Sequence, residues 1–370
     1  MSRTAVRWLA PIAAAALAIG GGLAATTASA DPNLPKKSPQ ELLTAVAGAK
    51  VDGLSGTVTE TAELGLPSMP SNGPTEESDF GSLASGTHTL KVWTSGEDKS
   101  RVSLLGTYGE SSLIRNGNQA WLWSSKEKKA VHTTYAGKAM AQRHSSEMPA
   151  TPQEAAKKAL DAIDPSTSTK VARNVTVADR PAYELVLTPK DDRSLVGEVA
   201  IAVDAQTSVP LRVEVSADGA KDPAFSVGFT DVDFSVPAAK NFTFTPSEDT
   251  SVTEKKVEPK EHGTADKADA APGKVVGDGW TSVLVTDKSF ADQLGKAGSD
   301  RAGSDQAGPH GRSQGGSEAG QMLNSLPKVS GSWGSGRLLT GSLFSAVLTD
   351  DGRVAVGAVK PALLYSALEK

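Results

Sequence analysis

No cysteine occurs among the 370 residues of this chain. Its absence excludes disulfides, thiolate metal or iron–sulfur ligation, a cysteine nucleophile and a lipid-modified N-terminal cysteine. Aromatic residues are scarce, at 5%, while glycine and proline number 36 and 21. A chain of this length has room for two domains, but with that composition part of it must be linker and not packed core. A basic excess is missing too. The 38 Lys and Arg stand against 43 Asp and Glu, a formal net charge of −5, which argues against a nucleic-acid partner because neutralising phosphates needs a basic surface. The five histidines, His88, His132, His144, His262 and His310, never lie three or four residues apart, so no helical metal pair is expected.

Long apolar runs are absent after residue 30, so no membrane-spanning helix is expected there. The first thirty residues read as an address. Arg3 and Arg7 precede an apolar run from Leu9 to Leu23, and Ala28-Ser29-Ala30 is a small-x-small cleavage site before Asp31. The expectation is a signal peptide over 1–30 and a soluble extracytoplasmic protein, secreted or held at the cell envelope without a lipid anchor.

Ser38-Pro39-Gln40-Glu41 is a capping box, followed by Leu42, Leu43, Val46 and Ala49 at helical spacing. A strand is expected over Leu54–Leu64, then a long loop over Leu66–Ser85 that is rich in Pro, Ser, Gly and acid. From Thr87 the period becomes two, with strands at 89–94, 100–107, 112–116 and 119–124 joined by short polar turns. Thr151-Pro152-Gln153-Glu154 opens a second helix, which Pro165 stops. Five further strands are expected at 170–177, 182–188, 195–203, 211–216 and 225–234. Many strands, few helices and no β-α-β alternation indicate an α+β protein with one curved antiparallel sheet and helices against one face.

Residues 251–275 are mostly Lys, Glu, Asp, Ala and Pro and read as a charged linker. A smaller β-α-β-β-α domain is expected over 276–370, with a Gly/Ser-rich insert at 295–320. In it Asp350-Asp351-Gly352 signals a hairpin turn. The N-terminal unit then occupies 31–250.

Chemistry is sparse. Gly311-Arg312-Ser313-Gln314-Gly315 matches the hydrolase G-x-S-x-G string but lacks the strand before and helix after that the nucleophile elbow requires. Asp231 and Asp233 share a strand face, as a carboxylate pair would, or as the solvent side of an edge strand does. Gly331-Ser332-Trp333-Gly334-Ser335-Gly336-Arg337 is either an anion-cradling turn or a tight connection anchored by Trp333. The expectation is a non-enzymatic protein with no metal and no cofactor.

The apolar inventory says more. Leu90 shares a face with Val92, Lys91 with Trp93, Trp121 with Trp123, Tyr183 with Leu185 and Leu187, and Phe225 with Val227 and Phe229. Leu113 and Val213 add to this set. The concave face of a curved sheet is either core under the helices or the lining of a cavity.

Three strings are similar to elements of the LolA/LolB/RseB-type lipoprotein-carrier superfamily: Leu113-Ile114-Arg115-Asn116-Gly117-Asn118-Gln119-Ala120-Trp121, Asp204-Ala205-Gln206-Thr207-Ser208-Val209-Pro210-Leu211-Arg212, and Phe229-Thr230-Asp231-Val232-Asp233-Phe234 with Phe242-Thr243-Phe244-Thr245-Pro246. With the order of elements, the resemblance covers residues 35–250. It implies a half-open antiparallel β-barrel draped over helices, with a cavity for acyl chains or a lipoprotein's lipid anchor. The cavity lining would then be Leu90, Val92, Trp93, Leu113, Trp121, Trp123, Tyr183, Leu185, Leu187, Val213, Phe225, Val227 and Phe229, with Met69, Phe80 and Leu83 on a lid. Two functions stay open: a secreted carrier of lipid or lipoprotein acyl chains, and an RseB/MucB-like envelope-stress sensor. Residues 276–370 would contact a membrane protein, a transporter or an anti-sigma factor.

Overall fold

The computed structural model describes residues 33–65, 80, 82–107, 109–136, 151–161, 163–257, 273–286 and 325–370. The expected signal peptide, Met69, Ser313 and the 295–320 insert lie outside the described residues.

The first helix, α1 (Pro39–Gly48), starts as its capping box dictates. Ser38 Oγ accepts from Glu41 N at 3.3 Å, and the Glu41 carboxylate accepts from Ser38 N at 2.7 Å. Strand β1 (Gly53–Ala62) follows, then a meander of five strands, β2 (Gly86–Ser95), β3 (Lys99–Gly106), β4 (Gly109–Asn116), β5 (Gln119–Ser124) and β6 (Lys129–Tyr135). The sequence reading anticipates four of the five and misses β6. Helix α2 (Pro152–Asp161) leads into a second meander, β7 (Thr167–Val177), β8 (Arg180–Pro189), β9 (Val196–Asp204), β10 (Pro210–Ala217) and β11 (Pro223–Asp233). The Asp204 carboxylate builds the β9–β10 turn: it accepts from Gln206 N at 3.0 Å, Thr207 N at 2.6 Å and Arg180 Nε at 2.6 Å.

With β12 (Ser251–Val257), these strands form one sheet in the order β12-β6-β5-β4-β3-β2-β1-β11-β10-β9-β8-β7. The two meanders meet on β1, which pairs antiparallel with β2 on one edge and β11 on the other. Residues 235–250 carry the chain back to the far edge, where β12 (Ser251–Val257) pairs in parallel with β6. Those seven residues fall within the expected linker. Its side chains, mostly Thr, Glu and Lys, are almost all exposed, so this edge strand has a linker's composition while its backbone pairs with β6 along one edge.

One hydrophobic core lies between the sheet and the helices. Leu42 of α1 and Ala156 and Ala159 of α2 join Val58, Leu90, Leu104, Leu185, Ile201, Val213 and Phe229 in it. Helix α2 rests on β10 and β11.

The C-terminal unit is a second antiparallel sheet of β13 (Gly273–Val276), β14 (Val283–Thr286), β15 (Lys328–Gly331), β16 (Gly334–Thr340), β17 (Ser345–Thr349) and β18 (Val354–Gly357), in the order β13-β14-β18-β17-β16-β15, with α3 (Pro361–Leu368) packed on it. The expected β-α-β-β-α pattern undercounts the strands. β13 falls in the expected linker, and the apolar stretch 337–349 is two strands joined by a turn at 341–344. The two units dock: Leu195 N donates to Ala358 O at 2.8 Å, Ser342 N to Leu64 O at 2.7 Å, and the buried Trp280 Nε1 to Thr167 Oγ1 at 2.9 Å.

Candidate functional site

Directly opposed residues on neighbouring strands share a sheet face, so the pairing registers divide the candidate residues between two faces. On the inner face, under the helices, one row runs Val171, Leu185, Ile201, Val213, Val227 across β7 to β11 and arrives at Glu60 on β1 and His88 on β2. Tyr183, Leu187, Phe225 and Phe229 flank that row and are buried. A second row runs Val92, Val102, Leu113, Leu122, Val131 across β2 to β6. Val92 is 0% exposed and Val102 8%, Leu113 is half-buried, Leu122 reaches 42%, and Val131 beyond it is half-buried. The inner apolar face therefore runs from a closed centre to a rim that meets solvent.

Trp93, Trp121 and Trp123 belong to the opposite face, a correction to the expected cavity lining. Trp93 lies against the Arg101 guanidinium, 5.6 Å from the ring centroid. Trp121 stacks on His132 at 4.0 Å and 8°. Phe244 lies 5.2 Å from Trp121 and 5.5 Å from Trp123, and Phe242 is buried beside them over β3 and β4. Segment 235–250 is thus a strap that covers Trp121 and Trp123 from outside. Alternation puts them out of phase with Leu113 and Leu122, so no ligand between sheet and helices reaches them.

Two of the residues expected on a lid, Phe80 and Leu83, lie within the described residues. Phe80 and Leu83 are buried in the main core, and His88 Nε2 donates to Ser82 O at 3.1 Å, which holds this short helical turn on β2.

Glu60, Leu122 and Val131 escaped the sequence reading. Glu60 sits between Val58 and Ala62 in alternation and is 1% exposed, and its Oε1 has no hydrogen-bond partner among the described residues. Burial pushes its carboxyl well above the ordinary carboxylate range. Its signal was present in the sequence: in Leu54 to Ala62 an acid stands where the period of two demands an inward side chain.

The remaining candidates are structural. Asp231 and Asp233 are exposed, and Asp233 accepts from Ser235 N at 2.8 Å in a turn. Trp333 is buried and stacks on Tyr365 at 5.7 Å. The depression beside it, about 330 Å³, is lined by Asp350 and Asp351 as well as Ser335, which is the wrong charge for an anion. Among the described residues no group of three or more His, Asp or Glu is placed to hold a metal ion.

No protein-family model matches the chain, and no curated protein matches it in sequence. In fold it is similar to MucB of the Pseudomonas aeruginosa MucA/MucB complex, with 14% identity and a TM-score of 0.42 over 89% of this chain and 96% of that one. A LolA-superfamily protein of Nitrosomonas europaea gives 11% identity and a TM-score of 0.21, covering 56% and 99% of the two chains. An outer-membrane lipoprotein-sorting domain of Vibrio parahaemolyticus gives 10% and 0.23, covering 55% and 94%. At such identities and scores, what this chain does has to be read from its own geometry.

Proposed function

We propose that this chain is a non-enzymatic extracytoplasmic carrier that holds a lipid, or the acyl anchor of a lipoprotein, against the inner face of its large sheet. The observation that carries this reading is the apolar row from Val92 to Val131, buried at one end and open to solvent at Leu122. An acyl chain lands on the exposed rim and advances inward as the cover parts, driven by about 25 cal/mol for each Å² of apolar area removed from water. The cover suits such movement. A twelve-stranded sheet spans about 55 Å at the usual strand spacing, whereas α1 and α2, with 10 residues each, are about 15 Å long. Separate small pieces lift from a sheet more easily than a continuous layer.

Leu122 and Leu105 provide a matched pair for the test, since both are exposed leucines, at 42% and 37%, on opposite faces. Native mass spectrometry of gently purified protein is expected to find co-purified lipid in the wild type and in Leu105→Asp and to lose it in Leu122→Asp. Lipid retained by Leu122→Asp, or absent from the wild type, removes the proposal.

The second reading, a sensor that reports to a membrane-anchored regulator such as an anti-sigma factor, is favoured by one contact. Ser342 of the C-terminal unit binds the carbonyls of Glu63 and Leu64, immediately beyond the end of β1. In a sensor, loading the inner face alters hydrogen exchange at 341–344, whereas in a simple carrier it leaves that turn unchanged.

A further inference from the structure

Glu60 is an expensive residue where it stands. A carboxyl on the inner face of a central strand, flanked by Val58 and Ala62 and opposed by Val227, replaces what would otherwise be one more apolar contact. Native proteins rarely leave such a group without a partner, and those that do tend to use it. The groups around it do not explain it. On β11 its neighbours Phe225, Val227 and Phe229 are apolar. On β2 the opposed residue, His88, is engaged through Nε2 with the Ser82 carbonyl. Glu60 also stands at a particular place: it ends the apolar row that begins at Val171, at the junction of the two meanders.

We infer that Glu60 is the polar end of the ligand site, its carboxyl hydrogen-bonding the carbonyl oxygen of an acyl ester or acyl amide whose hydrocarbon chain lies along the inner face. This deepens the carrier reading and rests on it. The chemistry follows from burial. A carboxyl kept neutral by its apolar surroundings is a donor as well as an acceptor, so it satisfies a carbonyl, which can only accept. The class of ligand is narrowed accordingly to neutral acyl derivatives with their carbonyl near the chain terminus. Free alkanes lack the acceptor.

The experiment uses the full chain, stripped of lipid, with N-phenylnaphthylamine as a fluorescent probe that reports apolar binding. Methyl laurate and tridecane, chains of similar length with and without a carbonyl, compete for the probe. The wild type is expected to prefer methyl laurate by about fivefold, the worth of one neutral hydrogen bond. Glu60→Leu is expected to lose the preference, and Glu60→Gln, which keeps a donor, to retain it. N-lauroylglycinamide in place of methyl laurate separates an amide source, as in a lipoprotein anchor, from an ester source. Infrared difference spectra supply a readout independent of any variant's folding: the carboxylic C=O stretch of the wild type shifts on addition of methyl laurate, and Glu60→Gln lacks that band. A preference that survives in Glu60→Leu, or an unmoved carboxyl band, overturns the assignment while leaving carriage intact. Failure of the wild type to bind the probe or either competitor overturns carriage and this inference together.

Discussion

Two buried acids of this chain respond to pH in opposite directions. Asp204 would be raised by burial, but the hydrogen bonds from Arg180 and Thr207 and the Arg180 charge outweigh that and leave its carboxyl below the ordinary range. Its contribution to stability is present above the unfolded carboxylate range and is lost as pH falls through the lowered value. Asp204→Asn is therefore expected to cost about 2 kcal/mol at neutral pH, by leaving Arg180 without its charged partner, and to reduce the acid loss of stability in urea titrations. Glu60 works the other way. Its raised value means that the folded state holds a proton the unfolded chain has released, so its contribution is full below the unfolded pKa of about 4.3 and is lost as pH rises through the raised value. Glu60→Gln is expected to flatten the decline in Tm between acid and neutral pH, measured by calorimetry without ligand. A decline of equal slope in the variant would mean that Glu60 does not titrate in this way.

At the level of elements, the strap over the outer face is the part with the clearest energetic claim. Phe242 is 2% exposed and packs outside the main core, so Phe242→Ala is expected to cost about 3 kcal/mol. With the strap loosened from β3 and β4, emission from Trp121 and Trp123 moves to the red, and β12 loses the segment that delivers it to β6. The same region marks where sequence reasoning ran out. Strands such as β8 and β9 are legible because Tyr183, Leu185 and Leu187, or Val199, Ile201 and Val203, alternate with smaller or polar neighbours. In β6 the alternation is blurred, since Val131 and His132 are both half-buried, one on each face. In β12 Val252 and Val257 stand five residues apart, on opposite faces, and mark neither; an edge strand at the surface is held by its backbone ladder. The facing of the tryptophans is hidden for a related reason: period two groups Trp121 with Trp123 but is silent on which face is covered. Their cover, Phe242 and Phe244, arrives more than a hundred residues later. Leu122, lying between the two, faces the proposed ligand.

At the scale of the whole molecule, the C-terminal sheet is joined to the large one through shared core as well as hydrogen bonds, since Trp280, Leu343 and Ala358 belong to the main cluster. Trp280→Ala removes a buried indole and its bond to Thr167. It is expected to turn one cooperative thermal transition into two, with the C-terminal unit melting first. A single transition at unchanged Tm would show that the docking carries little of the stability. The placement of β1 sets the order in which such a molecule can form. Ser55 pairs with Asp233, so in N-to-C synthesis the central strand emerges early and keeps one edge unpaired until most of the N-terminal unit exists. Hairpins from β2 to β6 close quickly by local contacts, while the joining of β1 to β11 waits on a loop of 160 residues, from Ala62 to Pro223, and is expected to limit the rate. Until then each half sheet is a nascent template with an open edge and a bare apolar face. A chain that stalls before residue 223 is the species of this protein most prone to aggregate.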